Sequence, residues 1–267
     1  MKRGLIILLI LIAVAFGIFY AIDYFNDDAN KESVDVYKTV MNRGYIIVGV
    51  KTDTKPFGFI DGSGANAGFD IDLAHEIAKE LFHDPQKVKF VPVSDNDRLY
   101  LLNLNKLDMV IATLTISDTR KMSVDFSKPY YLTGQALLVR AGSPVRSMAD
   151  LSDKKVGVIF GSTAEQTMKF LLPTAKVMGY KSYDEAYRAL KSGEILAITS
   201  DDAILRRFTS SDSSVKILPK KYSKEFYGVA FRKTDEQNTL KDIVNNVISD
   251  METQNQLNQL QTKWGLK

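Results

Sequence analysis

Apolar residues fall along this chain in short blocks separated by longer amphipathic stretches, a pattern of alternating strands and helices. Tyr45–Val50 reads as a strand, and Lys51–Phe59, with Pro56 and Gly58, as the loop leaving its C-terminal end. Asp61-Gly62-Ser63-Gly64 is a turn by composition. Asp70 or Asp72 is placed to cap the following helix, whose stripe is Ile71, Ala74, Ile77, Ala78 and Leu81. Val88–Val93 is a second strand and Arg98–Asn105 a short helix. Met109-Val110-Ile111 then suits a strand buried on both faces. In the continuation from Thr113 to Ser117 hydroxyls alternate with apolar side chains, so a period of two puts Thr113, Thr115 and Ser117 on one face. Ser117-Asp118 reads as a helix start, with Arg120 in its first turn. Hydroxyls beside one guanidinium suit a small carboxylate, which Arg meets with two parallel bonds. The same residues also fit a core strand with locally bonded threonines and a solvated arginine.

The pattern then repeats. The chain leaves the first unit around Tyr130–Gln135, and Lys155–Phe160 is again a strand. Ser162 with Glu165 three residues later reads as a capping box. Tyr183–Lys191 is a helix ended by Gly193, and Ile195–Thr199 is a strand running into Asp201-Asp202 and a helix to about Phe208. Phe226–Phe231 is a return strand, and Asp235–Trp264 is helical, with Ile243, Val247, Met251, Leu257 and Leu260 on its apolar faces. The expected architecture is α/β and two-lobed, each lobe a mostly parallel sheet flanked by helices. Residues 37–132 plus 227–267 form lobe 1 and residues 133–226 lobe 2, joined by a two-strand hinge. Ligands of open α/β sheets sit beyond the carboxyl ends of strands, which places a cleft between the lobes and hinge closure around its occupant.

Ahead of both lobes, Lys2-Arg3 precede an almost unbroken apolar run, Leu5–Ile22, followed by Asp23, Asp27 and Asp28. Eighteen such residues can span the hydrocarbon layer with the positive end in the cytoplasm. Residues 1–25 are read as a signal anchor, or as a signal peptide cut near Ala13-Val14-Ala15, and residues 26–36 as a polar tether. Both readings put the rest of the chain outside the cytoplasm.

Composition narrows the function further. Net charge is +3, and setting aside Lys2 and Arg3 leaves 33 basic against 32 acidic residues, with no basic stripe; nucleic acid is not an expected partner. The absence of cysteine excludes disulfides, thiolate zinc sites and a cysteine nucleophile. No cofactor or metal motif is present, and His75 and His83 sit on or at the end of an amphipathic helix.

Three motifs occur in order: Gly68-Phe69-Asp70-Ile71-Asp72-Leu73, the stretch Asp108–Arg120, and Asp125-Phe126-Ser127-Lys128-Pro129-Tyr130-Tyr131. From about Tyr45 to its end the chain resembles the extracytoplasmic amino-acid-binding proteins that feed ABC importers (solute-binding protein family 3), whose fold is the type II periplasmic-binding-protein fold. Lacking cysteine, it departs from relatives tethered through a lipid-modified cysteine. The resemblance implies that Arg120, with Thr115, clamps the ligand carboxylate, and that Ser162 and Thr163 add donors at a helix N-terminus. It implies Asp201 as the ammonium acceptor, helped by the Thr113 carbonyl, with Asp202 a first-turn helix residue. Phe69 becomes a platform under the ligand's aliphatic part, and Tyr227 a hinge residue in reach of a ligand oxygen.

Glutamine-binding relatives carry an acidic residue after the first strand and an aromatic where Thr54 stands; here the first of these positions is Lys51. The loop instead resembles the aspartate- and glutamate-binding branch, which also has an arginine matching Arg98. The expectation is therefore an acidic amino acid whose second carboxylate meets Lys51 and Arg98, delivered by a monomer to ABC permease subunits. The alternatives are a glutamine binder and an enzyme on the same scaffold, such as a cyclohexadienyl dehydratase. Glu165, the nearby glutamate, is explained by capping, and no lyase domain or cytoplasmic sensor output is expected.

Overall fold

The computed structural model describes residues 35–234 and 238–267. The expected membrane segment 1–25 and most of the tether 26–36 lie outside the described residues, among which no helix is long and apolar enough to cross a membrane. Asp35 caps α1 (Val36–Arg43) through its carboxylate, and Gly44 closes that helix in the left-handed conformation at φ 78°. β1 (Ile46–Val50) follows, then a small antiparallel sheet of β2 (Asp53–Thr54), β3 (Gly58–Ile60) and β4 (Asn66–Ala67). Next come α2 (Phe69–Phe82), β5 (Val88–Pro92), α3 (Arg98–Asn103), β6 (Met109–Ile111), α4 (Asp118–Lys121) and β7 (Val124–Phe126). β8 (Tyr131–Thr133) crosses out of this unit.

The second unit holds β9 (Gln135–Arg140), β10 (Lys155–Ile159), α5 (Thr163–Leu171), β11 (Lys176–Tyr180), α6 (Tyr183–Ser192), β12 (Ala197–Asp201), α7 (Asp202–Ser211) and β13 (Val215–Ile217). β14 (Glu225–Tyr227) crosses back, pairing antiparallel with β8 in the register Glu225↔Thr133 to Tyr227↔Tyr131. β15 (Ala230–Arg232), α8 (Thr239–Thr253) and α9 (Gln256–Lys263) complete the chain.

The two five-stranded sheets share a plan, with orders β5-β1-β6-β15-β7 and β11-β10-β12-β9-β13. In each, four strands run one way and a fifth runs against them, β15 in the first sheet and β9 in the second. Each reversed strand immediately follows a hinge strand. It begins at the cleft and runs away from it, whereas its neighbours end there.

Several local expectations are corrected. α2 buries its predicted stripe, but Gly68 (φ 130°) is its N-cap and neither aspartate caps it. A Cβ on Gly68 would lie 2.0 Å from the Phe57 carbonyl oxygen, so only glycine lets the chain turn into the helix here. The run after Ile111 is no continuous strand: Thr113 sits at φ 48°, and only Thr115 bridges, to Tyr227. The return strand is split at Gly228, and the terminal helix is broken at Asn255 (φ 61°).

Candidate functional site

A narrow, nearly closed cavity lies where the strand ends of the two units face each other. Of the residues implicated by sequence, Arg98, Thr113, Thr115, Arg120, Ser162, Thr163 and Asp201 line it. Lys51, Phe69 and Tyr227 do not; each stands one layer out. Lys51 reaches Asp95 and the Tyr227 hydroxyl donates to Asp201. Phe69 is fully buried, stacked on Tyr130 and edge-on to Phe57 and Tyr131, so it is a wall of the aromatic core rather than a surface of the cavity.

The Arg120 side of the cavity is built by two helix starts. Ser117 caps α4, accepting from the Arg120 N–H at 3.3 Å, and this sets the direction of the Arg120 side chain. Its Nη1 donates to the Thr115 carbonyl at 2.8 Å and its Nη2 to the Gly161 carbonyl of the opposite unit at 3.0 Å. Burial and the neighbouring Arg98 lower the Arg120 pKa to about 10, so it remains a cation at neutral pH. Across the cavity Ser162 is the N-cap residue of α5, yet the predicted capping box is not formed. The Ser162 hydroxyl donates to the Ile159 carbonyl at 2.6 Å and Glu165 pairs with Lys169 at 2.8 Å. The first turn of α5 has no side-chain cap and faces the guanidinium, an arrangement that accepts an anion.

The threonines behave differently from expectation. Thr115 and Thr163 both donate their hydroxyl protons to Glu225 Oε2 on the hinge, each at 2.8 Å, and Ser223 donates to Oε1 at 2.8 Å. A hydroxyl has one proton, so neither threonine hydroxyl offers a ligand a donor while this clasp is made. Thr113 is oriented by Asp70, whose buried carboxylate accepts the Thr113 N–H at 2.9 Å and the Tyr130 hydroxyl at 3.0 Å. Burial pushes Asp70 up to about 6.

Opposite Arg120, Asp201 ends β12. Burial pushes its carboxyl up to about 7, with repulsion from Glu225 adding to this and the Tyr227 hydroxyl pulling the other way. A cation placed beside it would restore the carboxylate. Asp202 points elsewhere, pairing with Arg206 at 3.0 Å and Lys221 at 2.9 Å, and accepting from Thr133 at 2.9 Å.

The end of the cavity expected to hold two free cations holds an ion cluster instead. Asp95 is 8% exposed and lies between Lys51 (2% exposed) and Arg98 (1% exposed). Lys51 Nζ is 2.7 Å from Asp95 Oδ2, Arg98 Nη2 is 3.1 Å from Oδ1, and Lys51 also reaches Asp53 at 3.3 Å. Burial alone would raise the Asp95 pKa, but Arg98 and Lys51 outweigh it and hold the group below the usual carboxylate range. Arg98 Nη1 donates to the Ala112 carbonyl, while its buried Nε–H has no partner among the described residues.

Sequence reasoning missed Asp95, Gln135, Tyr183 and Ser200 as lining residues. Asp95 had a signal, standing one helical turn before Arg98 with an acid's preference for a cation at that spacing. Tyr183 and Ser200, joined by a 2.8 Å hydroxyl contact, had none, because only the packing of α6 on β12 brings them together. Two further contacts join the units: Arg207 donates to the Asp53 carbonyl, and Gly161 (φ 79°) packs on the Asp95-Asn96 backbone.

Residues 46–267 match the family described as bacterial extracellular solute-binding proteins, family 3. The chain is 36% identical over 242 residues to the ABC transporter glutamine-binding protein of Bacillus subtilis (strain 168), covering 90% of this chain and 88% of that one. It is 37% identical over 209 residues to the glutamine-binding protein of Geobacillus stearothermophilus, covering 77% and 79%. A solved structure described as an ancestral arginine-binding protein bound to glutamine superposes with a TM-score of 0.77 at 39% identity, covering 83% of this chain and 98% of that one. These are binding proteins and not enzymes, and the dehydratase alternative is set aside. Two like sheets around a cleft, the three sequence motifs and these matches lead to one conclusion: the chain belongs to the family 3 bacterial extracellular solute-binding proteins, the amino-acid-binding components that serve ABC importers outside the cytoplasm.

Proposed function

We propose that the cleft binds an amino acid with an uncharged polar side chain, glutamine before any other, and hands it to the importer's membrane subunits. This replaces the expectation of aspartate or glutamate. The observation that carries it is the ion cluster: the two cations reserved for a second ligand carboxylate are already neutralised by Asp95, with Asp53 beside Lys51. A glutamate side chain would bring another buried negative charge next to Asp95, at a cost its partners cannot offset. A neutral carboxamide meets no such penalty. The named relatives from Bacillus and Geobacillus bind glutamine, which agrees with this reading. Arg120 and the start of α5 take the α-carboxylate, and Asp201 takes the ammonium. Calorimetric titration of the protein with glutamine, asparagine, glutamate, aspartate and arginine tests the assignment. Glutamine is expected to bind at least tenfold more tightly than glutamate; equal affinities would refute it.

A further inference from the structure

The ion cluster suggests how the side chain of such a ligand is read. Asp95 and Arg98 both line the cavity, are almost completely buried and are held together at 3.1 Å. Their remaining hydrogen-bonding capacities are opposite. Asp95, an ionised carboxylate, can only accept, and each oxygen has a lone pair beyond the one its cation uses. Arg98 can only donate, and among the described residues its buried Nε–H has no partner although its Nη1 and Nη2 are engaged. A buried donor without an acceptor is unfavourable, so this N–H is a group that a ligand oxygen would satisfy.

We infer that Asp95 and Arg98 act as a paired reader of a primary carboxamide, Arg98 Nε–H donating to its oxygen and Asp95 accepting from its NH2. A carboxylate satisfies the first group and is repelled by the second, an ester satisfies the first and gives the second nothing, and an alkyl group satisfies neither. Asp95 thereby becomes the residue that sets charge selectivity: it stands as a built-in substitute for the ligand carboxylate that Lys51 and Arg98 would otherwise attract. Removing its charge while keeping its shape should turn the same pocket toward acidic ligands. The inference rests on the glutamine reading above.

The test is calorimetric titration of the full-length wild type and Asp95→Asn proteins with glutamine, glutamate, glutamate γ-methyl ester and norvaline. Wild-type preference for glutamine over glutamate examines the underlying reading; the change in that preference on substitution examines the role of Asp95. The variant is expected to raise the ratio of glutamate to glutamine affinity at least tenfold, and a rise of less than fivefold overturns the inference. The wild type is expected to bind the γ-methyl ester at least fivefold more weakly than glutamine, and norvaline more weakly still. Ester binding equal to that of glutamine overturns the inference without any substitution, which decides the matter should Asp95→Asn fail to give a cooperative melt. A wild type that prefers glutamate removes the glutamine reading while leaving the ratio change to judge Asp95. One that binds neither ligand removes both.

Discussion

Lowering the pH should weaken ligand binding through Asp201, and the size of the effect follows from its surroundings. With the carboxyl at about 7 in the ligand-free protein, about one molecule in a hundred carries the charge at pH 5 and about three in four at pH 7.5. An ammonium binds the ionised form, so affinity should rise about seventyfold over that interval, or ~2.5 kcal/mol. Binding at pH 6 should release about 0.9 of a proton, because the bound ammonium returns Asp201 to the ordinary carboxylate range. Titration calorimetry in buffers of different ionisation enthalpy reads both quantities. The Asp201→Asn protein should bind weakly at every pH and release no proton. A wild-type affinity changing less than threefold from pH 5 to 7.5, or a slope retained by Asp201→Asn, would refute the assignment of the ammonium to this residue.

Three further outcomes are expected. Arg120→Ala should weaken binding of every amino acid by at least a hundredfold, since it removes a charge-assisted anchor of the α-carboxylate; Asp95→Asn should instead change which ligand is preferred. Gly161→Ala should weaken binding about tenfold or more, because a Cβ there would lie 2.5 Å from the Asp95 carbonyl oxygen and 2.6 Å from the Asn96 Cα; small-angle scattering with saturating glutamine should show incomplete compaction. The ligand-free protein should melt at a higher temperature at pH 5 than at pH 8. Asp70 at about 6 and Asp201 at about 7 both lie above the unfolded value of 3.8. Their contribution is therefore complete below that value and lost as pH rises through 6 and 7, on the order of a few kcal/mol in all. Saturating ligand should shrink this shift, and a melt independent of pH would contradict the burial of the two acids.

The fold was legible because its signals are periodic. The buried face of α2 and the apolar blocks of β1, β6 and β10 follow from spacing alone. What periodicity could not register is direction and partnership. The hydroxyls of Thr115 and Thr163 look like ligand donors in the sequence, and only the folded hinge brings Glu225 to take their protons. Lys51 and Arg98 stand out in the sequence as two cations, and in the fold both are buried against Asp95, whose role depends on which of several loop acids turns inward. The two cations are visible in the sequence, and the anion held between them is not. Ser162 and Glu165 carry the right spacing for a box, and Lys169 one turn on attracts Glu165 away.

The paired crossing ribbons carry a mechanical consequence. Residues Thr133 and Glu225 are ladder partners, so the chain departs for its second half and comes home at neighbouring backbone positions. Two strands one ladder-width apart bend readily out of their common plane, whereas sliding one past the other would break the register from Tyr131 to Thr133. The two halves are therefore hung like the covers of a book on one spine. They can swing through a single arc but not slip sideways, so Arg120 meets Gly161, and Arg207 meets Asp53, in the same stroke.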